Sequence, residues 1–389
     1  MISAFCIDIP QARLDQIRER VEQYNWDDLS DAGGWKSGVG IADLRRLMAY
    51  WLNRYDWRAA EAQLNSQPHF ITTIDDQDLH FLHSKGDGTR APVLLLHGWP
   101  GSFLEFKDVI APLVADGHDI VVPSLPGYAF SGRPSSPIGS RRTAMLCNEL
   151  MDRLFGEMPY LVQGGDWGSA VAAWIAHDFP ERCLGLHLNM VMVQTRDAIA
   201  ATEDELLWAE ARQRTTAEEM GYAIEQGTRP QTLSVSLADS PVGVAGWILE
   251  KFAAWSDVPR DAEGRPDVWK AFDEELLLTN LMLYLATNAI VTSTWFYRGN
   301  VLESSRHFEP GHRVTVPTAI AAFRDPVFLM PPRSLVEKSY DVVQWCDMPA
   351  GGHFAALEQP ALLLTDLRRF FNAIELRRDE RTQANLSGL

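Results

Sequence analysis

One stretch limits what this chain can become more than any other: Leu161-Val162-Gln163-Gly164-Gly165-Asp166-Trp167-Gly168-Ser169-Ala170, continued by Val171-Ala172-Ala173-Trp174-Ile175-Ala176-His177. A short apolar run meets a glycine-flanked acid and passes at once into an alanine-rich helical pattern. It reads as strand, sharp turn and helix, with Asp166 at the apex. Glycines at 164 and 168 leave room for a strained turn and close strand-helix packing, so the side chain at 166 would stand out over the end of a sheet. A carboxylate held there can attack carbon. The same residues also suit an Asp that ends a strand and caps a helix, and this stretch alone leaves both readings open.

The rest of the chain supplies the sheet. Apolar runs at Ala91–Leu96, Asp119–Pro123, 160–163 and Leu184–Asn189 alternate with helical patterns running through Val114 and over Thr143–Leu154, which predicts a parallel, doubly wound α/β sheet. Ahead of them, residues 1–85 read as a leading segment. It opens with a helix at Ile9-Pro10 (Leu14, Ile17, Val21), has a second helix over Ile41–Trp51, and ends in paired strands Phe70–Ile74 and Leu79–His83 about the turn Asp75–Asp78, which form the sheet edge. The core's first part is residues 86–196. From 197 to 298 the β/α rhythm stops and nearly everything reads as helix, including Glu203–Arg214, Val244–Trp255 and Val268–Trp295. Such a block is an insertion over the strands' C-terminal edge, where α/β sheets bind ligands. Residues 299–389 return to the core with strands at Val314–Phe323 and 342–345, a last helix Ala361–Ile374 and a charged, frayed tail from Arg377.

Composition narrows the function classes. With 389 residues, 46% apolar and 22% charged, the chain is long enough for a large α/β domain plus an insertion. A formal charge of −17 argues against nucleic acid or an anionic membrane as partner. Four scattered cysteines (Cys6, Cys147, Cys183, Cys346) give no metal framework and suit a reducing compartment. The N-terminus lacks a signal-peptide pattern and no run of about 18 apolar residues occurs, so a cytoplasmic protein is expected.

If Asp166 is a nucleophile, it needs a base, an acid that orients the base, and oxyanion donors. His353, in the glycine-rich loop Pro349-Ala350-Gly351-Gly352-His353-Phe354 between the last strand and last helix, can take a proton near neutral pH. Asp325, in Phe323-Arg324-Asp325-Pro326, is the one acid on the loop after the preceding strand. The order Asp166, Asp325, His353 is the chain order nucleophile, acid, base. The oxyanion donors by position are the backbone N–H groups of Trp167 and of Trp99 in His97-Gly98-Trp99-Pro100, where the Trp99-Pro100 bond is a candidate for cis.

These motifs, with Pro100-Gly101-Ser102, Asp239-Ser240-Pro241-Val242-Gly243, Ile248–Phe252 and Leu278-Thr279-Asn280, resemble those of the epoxide hydrolases of the microsomal type, without the membrane anchor some members carry. The resemblance covers nearly the whole length. It implies an α/β-hydrolase fold with a helical lid and an N-terminal extension, and conversion of an epoxide and water to a vicinal diol through an ester on Asp166. It places two lid tyrosines, Tyr222 and Tyr297, on the epoxide oxygen, puts His97, Pro100 and Phe354 at the substrate pocket, and calls for no metal or organic cofactor. Many relatives carry Glu in a Phe-Pro-x-Glu pattern where this chain has Asp325 one position earlier. The implied partner is a small-molecule epoxide, with a homodimer compatible. Similar chains occur in xenobiotic breakdown and natural-product pathways, enediyne biosynthesis among them. Two other readings share the elbow: a haloalkane dehalogenase-like hydrolase, and a catalytically retired hydrolase that only binds a ligand.

Overall fold

The computed structural model describes residues 1–387, with side chains through 378. The centre of its sheet is built from short, largely apolar runs buried along their whole length. In Val93–Leu96 every side chain is out of solvent, and each such burial contributes about 1.5–3 kcal/mol. The strands are β1 (Ser3–Phe5), β2 (His69–Ile74), β3 (Gln77–Ser84), β4 (Val93–Leu96), β5 (Ile120–Pro123), β6 (Tyr160–Gly164), β7 (Cys183–Leu188), β8 (Gln194–Thr195), β9 (His307–Phe308), β10 (Val314–Ala322) and β11 (Tyr340–Asp347). Among the described residues nine of them form one sheet in the order β1-β2-β3-β5-β4-β6-β7-β10-β11, while β8 pairs with β9 apart. From β5 to β11 all neighbours are parallel, and β1, β2 and β3 add an antiparallel edge. The β2–β3 hairpin turns on Asp75 and Asp76, both with positive φ (48° and 63°), which suits a short acidic residue where glycine is absent. The outermost strand on this side is β1, too short to show a pattern in the sequence, so the edge lies one strand beyond the expected one.

Chain order reverses at β4, which has β5 on one side and β6 on the other. The loops leaving β4 and β6 therefore emerge side by side, with Leu96 opposite Gly164. This is the switch point at which open α/β sheets bind ligands. The glycines of the elbow are required by contact: a Cβ on Gly168 would stand 2.0 Å from the Leu96 carbonyl oxygen, and one on Gly164 would stand 2.3 Å from that of Gly168. Neither backbone can yield without moving β4 or β6. Gly168→Ala is therefore expected to destabilise the protein by at least about 2 kcal/mol, read as a lowered melting temperature; an unchanged melt would mean that the strand-helix packing is looser than this.

Between β7 and β10 the chain forms the helical cover. Its helices are Glu203–Glu219, Gly221–Thr228, Pro230–Asp239, Pro241–Trp255, Glu274–Leu285, Ala289–Ser293 and Trp295–Leu302. The long helix expected over Val268–Trp295 is broken. Asp273 caps the helix at 274 by accepting from Leu276 N–H, and Asn288 ends the run with a left-handed φ of 57°. The Arg13 guanidinium grips that break, donating to the Leu285 carbonyl (2.7 Å) and to Asn288 Oδ1 (2.6 Å). The leading segment thus fastens the lid. Trp269 donates to Asp43 (2.7 Å), and Tyr55 shares a hydrogen bond of 3.2 Å with Thr279. The last helix runs over Pro360–Ser387 rather than ending at Ile374. The tail expected to fray from Arg377 lies largely among residues whose side chains fall outside the description, and residues 388 and 389 lie outside it altogether.

Candidate active site

Asp166 opens the helix Asp166–Asp178 with φ at 45°, a left-handed conformation that a non-glycine residue holds only where its surroundings force it. Gly98 lies against it so closely that a Cβ there would fall 1.9 Å from Oδ1. That approach lets the Trp99 N–H donate to Asp166 Oδ1 at 2.8 Å. Trp167 N–H, in the first turn of the helix that Asp166 opens, has no intrahelical acceptor. The Trp99-Pro100 bond is cis. The Pro100 carbonyl accepts from Asn280 Nδ2 (2.8 Å), and Ser102 Oγ donates to Asn280 Oδ1 (2.8 Å), so the lid motif Leu278-Thr279-Asn280 clamps this turn.

His353 reaches Asp166 from the other side. Its Nε2 is 3.3 Å from Asp166 Oδ2 without hydrogen-bond alignment, whereas its Nδ1 is 2.7 Å from Asp325 Oδ2. The other oxygen of Asp325 accepts from the N–H groups of Val327 and Phe328, at 2.8 Å each, so the Asp-Pro loop holds its acid in one orientation. Burial works against a charged imidazole, but Asp325 and Asp166 outweigh it and hold the pKa of His353 up at about 10. Asp325→Asn removes the larger of these two attractions. It is expected to slow hydrolysis of an ester on Asp166 by roughly 10²–10⁴-fold and its formation far less, measured by rapid-mixing kinetics. Equal effects on both steps would move the orienting role elsewhere.

Tyr222 and Tyr297 close the site from the lid. Their rings lie 5.7 Å apart and nearly perpendicular; Tyr222 stacks on Trp99 at 5.3 Å and Tyr297 meets Trp167 edge-on at 4.8 Å. Burial, then the charge of Asp166, pushes Tyr222 well above the usual phenol range. Burial with Tyr222 and Asp166 as neighbours does the same to Tyr297. Both therefore stay protonated and can donate. Asp166 and both tyrosines line a cavity of about 430 Å³ with Met192, Met220 and Phe328, a size that suits a small organic molecule.

His97, Pro100 and Phe354 are not among the residues that line that cavity. His97 is consumed structurally: its Nδ1 pairs with the Gly98 carbonyl (3.1 Å) and its Nε2 accepts from Leu125 N–H (3.3 Å). Burial drops its pKa to about 4. Phe354 lies flat on Phe252 at 4.1 Å.

Several residues at the site escaped the sequence reading. The Trp255 carbonyl accepts from His353 N–H (3.1 Å), and its ring covers the imidazole at 4.7 Å. Glu358 accepts from the N–H groups of Asp257, Gly352 and Phe354 (2.8, 2.8 and 2.9 Å), bracing the histidine loop. Glu105 sits behind Asp166, its pKa raised to about 8 chiefly by burial. Acids inside apolar stretches, as in Phe103-Leu104-Glu105-Phe106, were the available signal, and without a fold nothing tied them to the elbow.

Sheet order, elbow and lid together define an α/β-hydrolase fold. Comparison with known proteins agrees. A family model described as "Epoxide hydrolase N terminus" matches residues 2–106, and one described as "alpha/beta hydrolase fold" matches residues 91–232. A Stigmatella aurantiaca (strain DW4/3-1) protein, provisionally named an epoxide hydrolase, is 36% identical over 390 residues, 96% of this chain and 85% of that one. Epoxide hydrolase 1 of Oryctolagus cuniculus is 33% identical over 96% of this chain and 89% of its own. The crystal structure of juvenile hormone epoxide hydrolase from the silkworm Bombyx mori superposes with a TM-score of 0.85 at 28% identity, covering 97% of this chain and 96% of that one. The chain belongs to the epoxide hydrolase family and is a hydrolase of that class, for which a covalent aspartyl ester is the typical mechanism.

Proposed function

We propose that Asp166 is the nucleophile, Tyr222 and Tyr297 the acids that open the ring, and His353 oriented by Asp325 the base, acting on a small epoxide in the 430 Å³ cavity. The observation that carries this reading is convergence. One carboxylate faces two protonated phenols across the cavity and a histidine at 3.3 Å on its other side.

In the first step Asp166 Oδ2 bonds to an epoxide carbon, the carbon-oxygen bond of the ring breaks, and a phenol proton passes to the leaving oxygen. Ester formation neutralises Asp166, one of the two charges that hold the His353 pKa at about 10. The imidazolium then gives up its proton, which restores the phenol, and His353 is left neutral as a base. Behind Asp166 a pocket of about 10 Å³ is bordered by His353, Glu105, Gln163 and Asn189, room for one water. Gln163 Nε2 donates to Asn189 Oδ1 at 2.8 Å and its Oε1 has no partner, leaving an acceptor for that water. His353 takes a proton from it, hydroxide adds to the Asp166 carbonyl carbon, and the N–H groups of Trp99 and Trp167 hold the oxyanion. Collapse breaks the ester C–O bond, the leaving alkoxide takes the proton of the newly formed carboxyl group, and the diol departs from an Asp166 carboxylate beside the His353 imidazolium. Phenols placed to protonate oxygen support epoxide opening over halide displacement. Four unpaired cysteines support a reducing, cytoplasmic setting.

His353→Gln is the test. With the base gone, the ester should form and persist: turnover falls about 10³-fold, and mass spectrometry finds the peptide carrying Asp166 heavier by one substrate. A variant that is inactive without an adduct, on an epoxide that the native enzyme hydrolyses, would count against covalent catalysis.

A further inference from the structure

The cavity that leads to Asp166 carries a charge pattern that hydrolysis of an apolar epoxide does not need. Its walls include Arg212, Arg298 and Arg306, and Asp166 is the one carboxylate among its described lining residues. None of the three arginines has a carboxylate within 4.0 Å among the described residues, although ion pairs are common elsewhere on the protein. Arg298 Nη1 reaches only the Gly227 carbonyl, at 3.4 Å, and Arg306 approaches the same glycine. Arg212 lies over the Phe328 ring, 5.4 Å from its centre, and its Nη1 is buried with no hydrogen-bond partner. Burial works against its charge, and the more distant Asp325 opposes that only in part.

A guanidinium nitrogen removed from water and left unpaired is unfavourable, so its place on a ligand cavity is a cost that an incoming acceptor would remove. The protein as a whole carries −17. An anionic ligand would be repelled from such a surface unless a local cluster of positive charge offset the field. Arginine's planar fork recognises carboxylate and phosphate alike.

We propose, on the basis of the epoxide hydrolase reading above, that the substrate is an anionic epoxide whose oxyanion group, carboxylate or phosphate, docks on Arg212 with Arg298 and Arg306 around it while the ring lies between Asp166 and the two tyrosines. Arg212 is the specificity-determining residue, because it alone of the three combines burial with an unpaired donor.

The test compares three substrates on one scaffold: the terminal epoxide of a medium-chain fatty acid, its methyl ester, and the phosphate monoester of the corresponding epoxy alcohol. They are hydrolysed by the native enzyme, by Arg212→Gln, and by Arg196→Gln as a surface control outside the cavity. At least one anion is expected to exceed the ester in kcat/KM by roughly 10- to 100-fold, the worth of one charge-assisted hydrogen bond. That ratio should collapse in Arg212→Gln and persist in Arg196→Gln. Using a ratio cancels any general damage to the variant. Binding of the saturated fatty acid and its methyl ester, read by tryptophan fluorescence, gives the same comparison without chemistry. Turnover of the neutral ester reports the epoxide reading separately. An ester bound and hydrolysed as well as both anions overturns the proposal, as does an anion preference that survives in Arg212→Gln.

Discussion

Asp166→Ala is expected to lose roughly 10⁵- to 10⁶-fold in kcat/KM, the scale seen when a covalent nucleophile is removed, and to remain folded. The loss is chemical because no other carboxylate lines the cavity among the described residues. Glu105 is the nearest substitute, but it stands behind Asp166 and burial keeps it largely protonated, with a pKa of about 8. The change also orphans the Trp99 N–H that donates to Oδ1 at 2.8 Å, a penalty of about 1–3 kcal/mol. His353 keeps its 2.7 Å bond to Asp325, so its loop stays in place. Far-ultraviolet circular dichroism and a melting curve separate the two effects. Residual turnover above about one part in a thousand, in a variant that these measurements show to be folded, would show that the nucleophile is another group.

The second large effect is expected for Tyr222→Phe combined with Tyr297→Phe. An alkoxide leaves poorly, and each acid contributes about 10²-fold, so the pair should lower kcat/KM by roughly 10⁴-fold while each single variant loses about 10²-fold. The rings are packed by Trp99 and Trp167 through their faces and edges, contacts that phenylalanine retains, so stability should change little. The loss should appear in ester formation, seen as the disappearance of the burst in rapid-quench kinetics, and not in ester hydrolysis. If the double variant forms ester at the native rate, ring opening uses a different acid.

The elbow, the strands beside it and the partners Asp325 and His353 were legible because each rests on local chemistry. Glycines are needed where a Cβ would strike backbone, as at Gly164 and Gly168, and buried parallel strands need unbroken apolar runs. Helices of the lid were legible in kind but not in extent: the break near Asn288 depends on Arg13, 275 residues away in sequence. A motif likewise cannot reveal how His97 is held: both its nitrogens are taken up by backbone groups of Gly98 and Leu125.

By itself, then, the sequence determined the residue types and their order: an acid on a strained strand-helix turn, an acid and a histidine on later loops, and a helical block to cover them. Those follow from short-range sterics and hydrophobic period. Only the tertiary structure decided how Asp166 is shared between a backbone N–H at 2.8 Å and an imidazole at 3.3 Å, which acids brace the histidine loop, and which arginines face the cavity unpaired. Such features depend on burial and on charges brought together from distant parts of the chain. Electrostatics in a low-dielectric site is set by what lies within a few ångströms in space, not by neighbours along the chain.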